Sequence, residues 1–216
     1  FKHGFNSFDL YFIQPNKVKY YNTKTPYTNL DFVFGGKEEV MGGAEFAINI
    51  KPNASIAFDY HRNNFKGRSQ NQLSIHNLFS IQSAFQSKNK RYELNAAFIY
   101  NGIKNQENGG WAQTDAFTNP FYKNNKRFIN VHLSNALNKW SERNFNFSEQ
   151  INLGKKTEVQ INDSTKRKIV VQPKFAIVHN FEFSDWKFRY KDFVKDSAFY
   201  PRLLYNTDST DDYTKT

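Results

Sequence analysis

An acid and an imidazole two residues apart, Asp59 and His61, are the pair in this sequence best spaced for chemistry. On an extended backbone residues i and i+2 share a face, so the two side chains could interact with each other or with a passing ion. The plainer reading, two members of a wet wall or rim, is preferred. Ser80 with Gln82, Glu93 with Asn95, and Gln150 with Asn152 repeat the spacing with amides, a hydroxyl and one acid. Such groups suit a water-filled lumen, because they hydrogen-bond solutes without strong charge selection. In a soluble sandwich they would simply face solvent. Glu107 lies in an Asn/Gly-rich stretch and is a candidate to hold a cation or to pin a loop across a pore mouth; an ordinary loop contact is preferred. Asp208, Asp211 and Asp212 fit no calcium-loop spacing and read as a solvated tail.

Composition removes much of the remaining chemistry. Cys is 0, which excludes disulfides, thiolate metal sites and cysteine nucleophiles. The five histidines form no metal pair, and no nucleophile elbow is present. Gly35-Gly36 and Gly42-Gly43 are followed by no helix, so they are turn or bulge glycines and not a phosphate cradle. The expectation is a protein that is not an enzyme and that uses no metal and no cofactor.

The elements that must position these residues are strands. From Leu73 to Phe85 one side reads Leu73, Ile75, Asn77, Phe79, Ile81, Ser83, Phe85, and the other Ser74, His76, Leu78, Ser80, Gln82, Ala84. Period two over this length specifies β-structure with one apolar and one wet side. At about 3.3 Å per residue the strand spans roughly 40 Å, enough to cross a bilayer at a tilt. Similar alternation marks Phe8–Ile13, Leu30–Phe34, Phe46–Ile50, Ile56–His61, Tyr92–Tyr100, Phe128–Leu133, Phe145–Leu153, Phe175–Phe183 and Trp186–Tyr190, so about ten strands are expected. Short turns at Lys51–Ala54, Ser87–Lys90 and Ser184–Asp185 contrast with longer polar loops at Asn63–Arg68, Asn101–Arg127 and Lys155–Lys168. Asn135–Arg143 is ambiguous and could hold a helical turn. Tight turns at one end and long loops at the other are the habit of outer-membrane barrels.

Mean hydropathy is −0.77, and no apolar run is long enough for a transmembrane helix. A closed barrel needs only one apolar face per strand and is the other permitted way across a membrane. The 23 Phe and 12 Tyr favour strands. Tyr60, Tyr92, Tyr100, Trp186 and Tyr190 are candidates for interfacial girdles; Tyr and Trp would equally serve as sugar-stacking platforms. Glu149 and His179 fall on apolar sides, where a charge at mid-membrane is costly; Glu149 is expected near an interface or turned inward by a bulge. The net charge of +10 would attract phosphate-bearing partners, but the cations form no block; Lys123, Lys126 and Arg127, and Lys166, Arg167 and Lys168, are placed in loops or at strand ends. No nucleic-acid partner is expected. The chain opens on Phe1 with no signal peptide, as a processed or excised chain would.

Three stretches carry a resemblance: Gly4-Phe5-Asn6-Ser7-Phe8-Asp9-Leu10-Tyr11, Tyr21-Asn22-Thr23-Lys24-Thr25-Pro26-Tyr27-Thr28 and Asn105-Gln106-Glu107-Asn108-Gly109-Gly110. In this order and spacing the chain resembles the putative porins of the Bacteroidetes outer membrane. The resemblance implies an all-β, antiparallel, up-and-down transmembrane β-barrel. It implies that residues 1–216 form one domain, the N-terminal portion of a longer barrel. The expected role is passive diffusion of small polar solutes across a bacterial outer membrane, among lipid and lipopolysaccharide. The alternatives are a non-conducting barrel scaffold bound to protein partners in an outer-membrane complex for secretion, assembly or motility, a soluble glycan-binding β-sandwich, and, disfavoured, an outer-membrane hydrolase.

Overall fold

A computed structural model describes residues 8–36, 39–160, 167–194, 199–200 and 210–215. Alternating sequence becomes one antiparallel sheet of eight strands in simple meander order. They are β1 Tyr27–Phe34, β2 Val40–Lys51, β3 Ala54–Lys66, β4 Leu73–Gln86, β5 Tyr92–Glu107, β6 Ala136–Gln160, β7 Arg167–Asp192 and β8 Thr210–Lys215. A short helix, α1 Pro120–Asn124, sits in the β5–β6 connection.

Turn chemistry sets the two ends. Pro52-Asn53 joins β2 to β3, and Asn53 Nδ2 donates to the Gln86 carbonyl at 2.8 Å. Ser87 organises the β4–β5 turn: its Oγ accepts from the Tyr92 N–H at 2.9 Å, and Lys90 takes φ 57°. Both tight turns lie at one end of the sheet. The opposite end carries the connections from Gly67 to Gln72 and from Asn108 to Asn135. That asymmetry agrees with the loop rhythm read from sequence, although β3 and β5 run further than expected, so those loops start later.

The strand count differs from ten for three reasons. Phe8–Ile13 is not a strand. It packs on the sheet, with Phe12 among Leu78, Ile103, Trp140 and Trp186. Phe128–Leu133 is not a strand either; Lys126–Phe128 forms a 3-10 turn, and only Val131 makes a bridge, to Trp111. Ser184-Asp185 does not turn the chain: the two expected strands on either side are one, β7. Against these losses β8 appears where a solvated tail was expected, with Asp211 and Asp212 paired in register to Tyr190 and Arg189; Asp208 lies outside the described residues. Asn135–Arg143 holds no helical turn; Ala136 starts β6.

Lys155–Lys168 is mostly strand as well. Beyond Ile151 the β6–β7 pair continues alone as a ribbon. Its β-branched run Ile169-Val170-Val171 favours extended backbone, and the Val171 N–H donates to the Asn89 carbonyl at 2.9 Å. A register shift at Leu153/Gly154 aims the ribbon. Only glycine fits there, since a Cβ on Gly154 would lie 1.8 Å from the Gln172 carbonyl oxygen. Pro173, opposite, has no N–H for the ladder to lose.

The sheet has two unlike faces. One carries Leu30, Phe32, Phe34, Phe46, Phe58, Ile81, Phe98, Phe145, Phe181 and Phe183, and it is uncovered: Phe34 is 77% exposed. The other is covered by residues 8–23 and holds the buried residues, with Ile99 and Asn101 at 0% exposure. The described residues contain no second sheet to press against the apolar side. A continuous apolar face of this width belongs to a membrane or a large interface.

Register also gives a tilt. Phe34 on β1 shares a hydrogen-bonded row with Val40, Asn64, Ile75, Lys104, Lys139 and Arg189. Yet the last outward aromatic on β7 is Phe183, about six residues lower. Over the steps from β1 to β7 the belt edge drifts about one residue per strand, which is a tilt of about 35° at 3.3 Å per residue and 4.8 Å per strand. Membrane barrel strands tilt by about 35–45°.

Among the described residues β1 pairs only with β2 and β8 only with β7, so the sheet is open and no closed barrel forms. An eight-stranded cylinder has room inside for side chains or one small ligand. Here a whole segment lies on the inner face.

Candidate functional site: a polar inner wall and the segment that covers it

Cross-strand register places every candidate lining residue on the inner face. Asp59 pairs with Ser80, and His61 with Leu78. Gln82 pairs with Ala97, Asn95 with Ser148, Glu93 with Gln150, and Asn152 with Ala176. The i,i+2 spacing is used within strands. Ser80 Oγ donates to Gln82 Oε1 at 3.1 Å, Gln150 Nε2 to Asn152 Oδ1 at 2.8 Å, and His61 Nε2 lies 2.9 Å from Asp59 Oδ1. Glu93 Oε1 accepts from Gln86 Nε2 at 2.9 Å. Asn95 shares a recess with Tyr21, Asn22, Asn49, Ser55 and Glu93 at the tight-turn end.

Glu107 is not a loop residue. It ends β5 on the inner face, where its Oε1 accepts from Asn138 Nδ2 at 3.4 Å. Its carbonyl accepts from Asn71 Nδ2 at 2.6 Å, and the same amide lies 3.1 Å from the Leu133 carbonyl. The contact is structural and ties the β3–β4 and β5–β6 connections together at the long-loop end. Asn71 itself has φ 46°, a conformation asparagine tolerates.

Asp59 and His61 have a third neighbour that strand spacing could not announce. Glu45, on β2, is the register partner of Asp59, and ligand atoms of Glu45, Asp59 and His61 lie within 4.8 Å of one another. Gly43 leaves the space, since a Cβ there would meet Asp31 Oδ1 at 2.5 Å and His61 Nδ1 at 2.7 Å. These are the described residues able to hold a cation, half-buried on the inner wall.

Residues 8–23 run down that wall. Asn101 clamps them: its Oδ1 accepts from the Ile13 N–H at 3.0 Å, and its Nδ2 donates to the Ile13 carbonyl at 3.0 Å. The side-chain amide thus imitates a β-ladder. Phe12, 6% exposed, sits 5.8 Å from the Trp140 ring, which stacks on Trp186 at 5.3 Å and 6°. Burying such a phenyl contributes about 1.5–3 kcal/mol. Lower down, the Tyr20 hydroxyl donates to Asn146 Oδ1 at 3.4 Å, and the Thr23 N–H to Asn49 Oδ1 at 3.1 Å. The sequence signal for this arrangement was slight: Gln14-Pro15 interrupts the alternation, and isolated asparagines recur on the inner sides of β2, β5 and β6.

Two aromatic assignments change. Tyr60, Tyr92 and Tyr100 face outward, but Trp186 and Tyr190 face inward, because β7 runs unbroken through Asp185. Tyr190 meets the Tyr200 hydroxyl at 2.5 Å, and Tyr200 donates to Asp192 Oδ2 at 2.6 Å. Burial, then these two contacts, hold the Tyr200 phenol well above its ordinary pKa. Glu149 and His179 do face outward, and no bulge turns them in. They are register partners 3.0 Å apart, and Tyr92 donates to Glu149 Oε2 at 2.9 Å. Each of these three polar groups is thereby bonded to another.

A tilted antiparallel sheet with an uncovered apolar outer face and an amide-rich inner face fits the wall of a β-barrel. The whole chain, residues 1–216, matches the family described as Putative porin, and it belongs to that family. No curated protein and no solved structure matches it.

Proposed function

We propose that this chain forms part of an outer-membrane β-barrel wall through which small polar solutes pass down their own gradients. The observation that carries the reading is the division of the sheet: aromatic and aliphatic residues outside, and Asp59, His61, Ser80, Gln82, Glu93, Asn95, Gln150 and Asn152 inside. Amides and hydroxyls replace water around a solute with little selection by charge. Lipid would solvate the outer face. The role requires no bond-breaking chemistry, no metal and no cofactor, and the partners are membrane lipids.

A second reading, a non-conducting scaffold within a larger outer-membrane assembly, is favoured by one feature. Residues 8–23 occupy the inner face and are fastened by Asn101 and the Trp140–Trp186 stack. Single-channel recording of the full-length protein in planar bilayers separates the two. Discrete conductance steps are expected, and Ile13→Pro, which deletes the N–H held by Asn101, is expected to raise the conductance or the open fraction. Silent bilayers for both the parent and the variant would reject the conduit and leave the scaffold.

A further inference from the structure

Above the belt the outer face changes character. On β5, β6 and β7 the outward positions there carry Lys104, Lys139, Arg143, Lys187, Arg189 and Lys191, against one acid on those strands, Asp185. Lys104 pairs in register with Lys139, so two cations stand side by side at strand spacing. Like charges directly opposite one another destabilise a sheet. No outward acid flanks the Lys104–Lys139 pair, and an external anion would offset its repulsion.

Height identifies the anion's chemistry. Arg143 stands two residues above Phe145, the last outward aromatic of its strand, or about 5 Å at the strand tilt. Lys104, Lys139 and Lys187 stand four to six residues above Tyr100, Phe145 and Phe183, about 11–16 Å higher than the belt. A phospholipid headgroup zone is only about 5–8 Å deep per leaflet. Arg143 meets that zone, but the lysine tier lies beyond it. A ligand that touches both tiers has acyl chains against the phenylalanine belt, an anionic group near Arg143, and a polar head tall enough to carry further anions to the lysines. The long-loop end, where this patch lies, is the outward end of a membrane barrel.

From this we propose that the outer face of β5–β7 docks an acylated saccharide bearing several phosphate or carboxylate groups, a glycolipid of the outer leaflet. The assignment rests on the membrane reading above. Ordinary phospholipid would satisfy only the lower tier. A free phosphorylated saccharide would forfeit the contact of its missing chains with Phe98, Phe145 and Phe183.

The test uses full-length protein in a neutral detergent. Native mass spectrometry follows retention of three probes: a rough lipopolysaccharide with a phosphorylated inner core, phosphatidylglycerol, and inorganic pyrophosphate. The rough lipopolysaccharide is expected to be held at least about tenfold better than either of the others, one molecule per chain. Lys104→Gln/Lys139→Gln/Lys187→Gln is expected to lose that preference, whereas Lys123→Gln/Lys126→Gln, in the β5–β6 connection, keeps it. Thermal unfolding adds a readout of opposite sign: relieving the repulsion should raise the midpoint of the triple variant without lipid and abolish the rise that the glycolipid gives the parent. Equal retention by the triple variant, or equal retention of phosphatidylglycerol or pyrophosphate, would overturn the proposal. Flotation with neutral phosphatidylcholine liposomes reports on the membrane reading separately. Protein that floats but shows no glycolipid preference sinks only the docking site; protein that does not float sinks the reading beneath it.

Discussion

Single residues here do work that their types alone do not disclose. Asn101 would be unremarked in any polar strand face, yet it is fully buried and makes both hydrogen bonds that a neighbouring β-strand would offer Ile13. A third bond, from Nδ2 to Glu142 Oε2 at 3.1 Å, holds its orientation. Asn101→Ala strands the Ile13 backbone groups without partners, at a cost of about 1–3 kcal/mol. Denaturant unfolding in detergent should show that loss, and limited trypsin digestion should cut sooner at Lys17 and Lys19. Unchanged cutting would mean that the Phe12 contacts alone hold the segment. Glu149 is the converse case. Its place on an apolar side was legible from alternation, and so was the problem it poses; its solution, two partners on neighbouring strands, required the register.

At the scale of elements, alternation was read correctly wherever one solvent touched each face throughout. β2, β3, β4 and the lower half of β5 are such cases. It held for Phe145–Leu153 and Phe175–Phe183 and failed only in the upper parts of β6 and β7, where the pattern inverts. Along β7, Phe181 and Phe183 face outward, then Asp185, Lys187 and Arg189 do so, while Trp186, Phe188 and Tyr190 turn in. From sequence this change of phase reads as a turn at Ser184-Asp185. On the proposed membrane reading the strand has left the apolar layer, so its outer side becomes charged, while its inner side meets Phe12 and becomes aromatic. The same inversion at Lys139-Trp140 made the start of β6 illegible. The ribbon beyond Ile151 depends on backbone geometry at one glycine. Gly154→Val is expected to break the β6–β7 register below the shift, because its Cβ would collide with backbone and not with a side chain that can rotate away. Hydrogen exchange should show lost protection from Lys155 to Val159 and from Ile169 to Gln172, with β3–β4 unaffected; protection equal to the parent would show that the ribbon can repack.

For the whole molecule, which face meets lipid is the decision on which the rest hangs, and the native tryptophans offer a clean measurement. Trp140 and Trp186 lie in the inner cluster, and Trp111 in the β5–β6 connection donates to Ser69 Oγ at 2.9 Å. None of them sits on the outer belt. Brominated phosphatidylcholine is therefore expected to leave the native emission nearly unchanged, whereas Phe98→Trp or Phe183→Trp adds a component quenched by more than about half. Strong quenching of the native protein, or none in the variants, would reverse the assignment of faces.

What the linear order of residues determined is the set of strand faces: each ribbon's apolar and polar sides, the tight turns at Pro52-Asn53 and Ser87–Lys90, and the amide-rich side that became the inner wall. Side-chain alternation is a local property, fixed by the backbone of each strand, so a sequence carries it in full. Tertiary structure alone decided how the ribbons align and what lies on them. It set the tilt, the Lys104–Lys139 pair, the Glu45–Asp59–His61 group and the course of residues 8–23. Each of these arises from register between segments or from a chain laid across several strands, and no window of consecutive residues contains that relation.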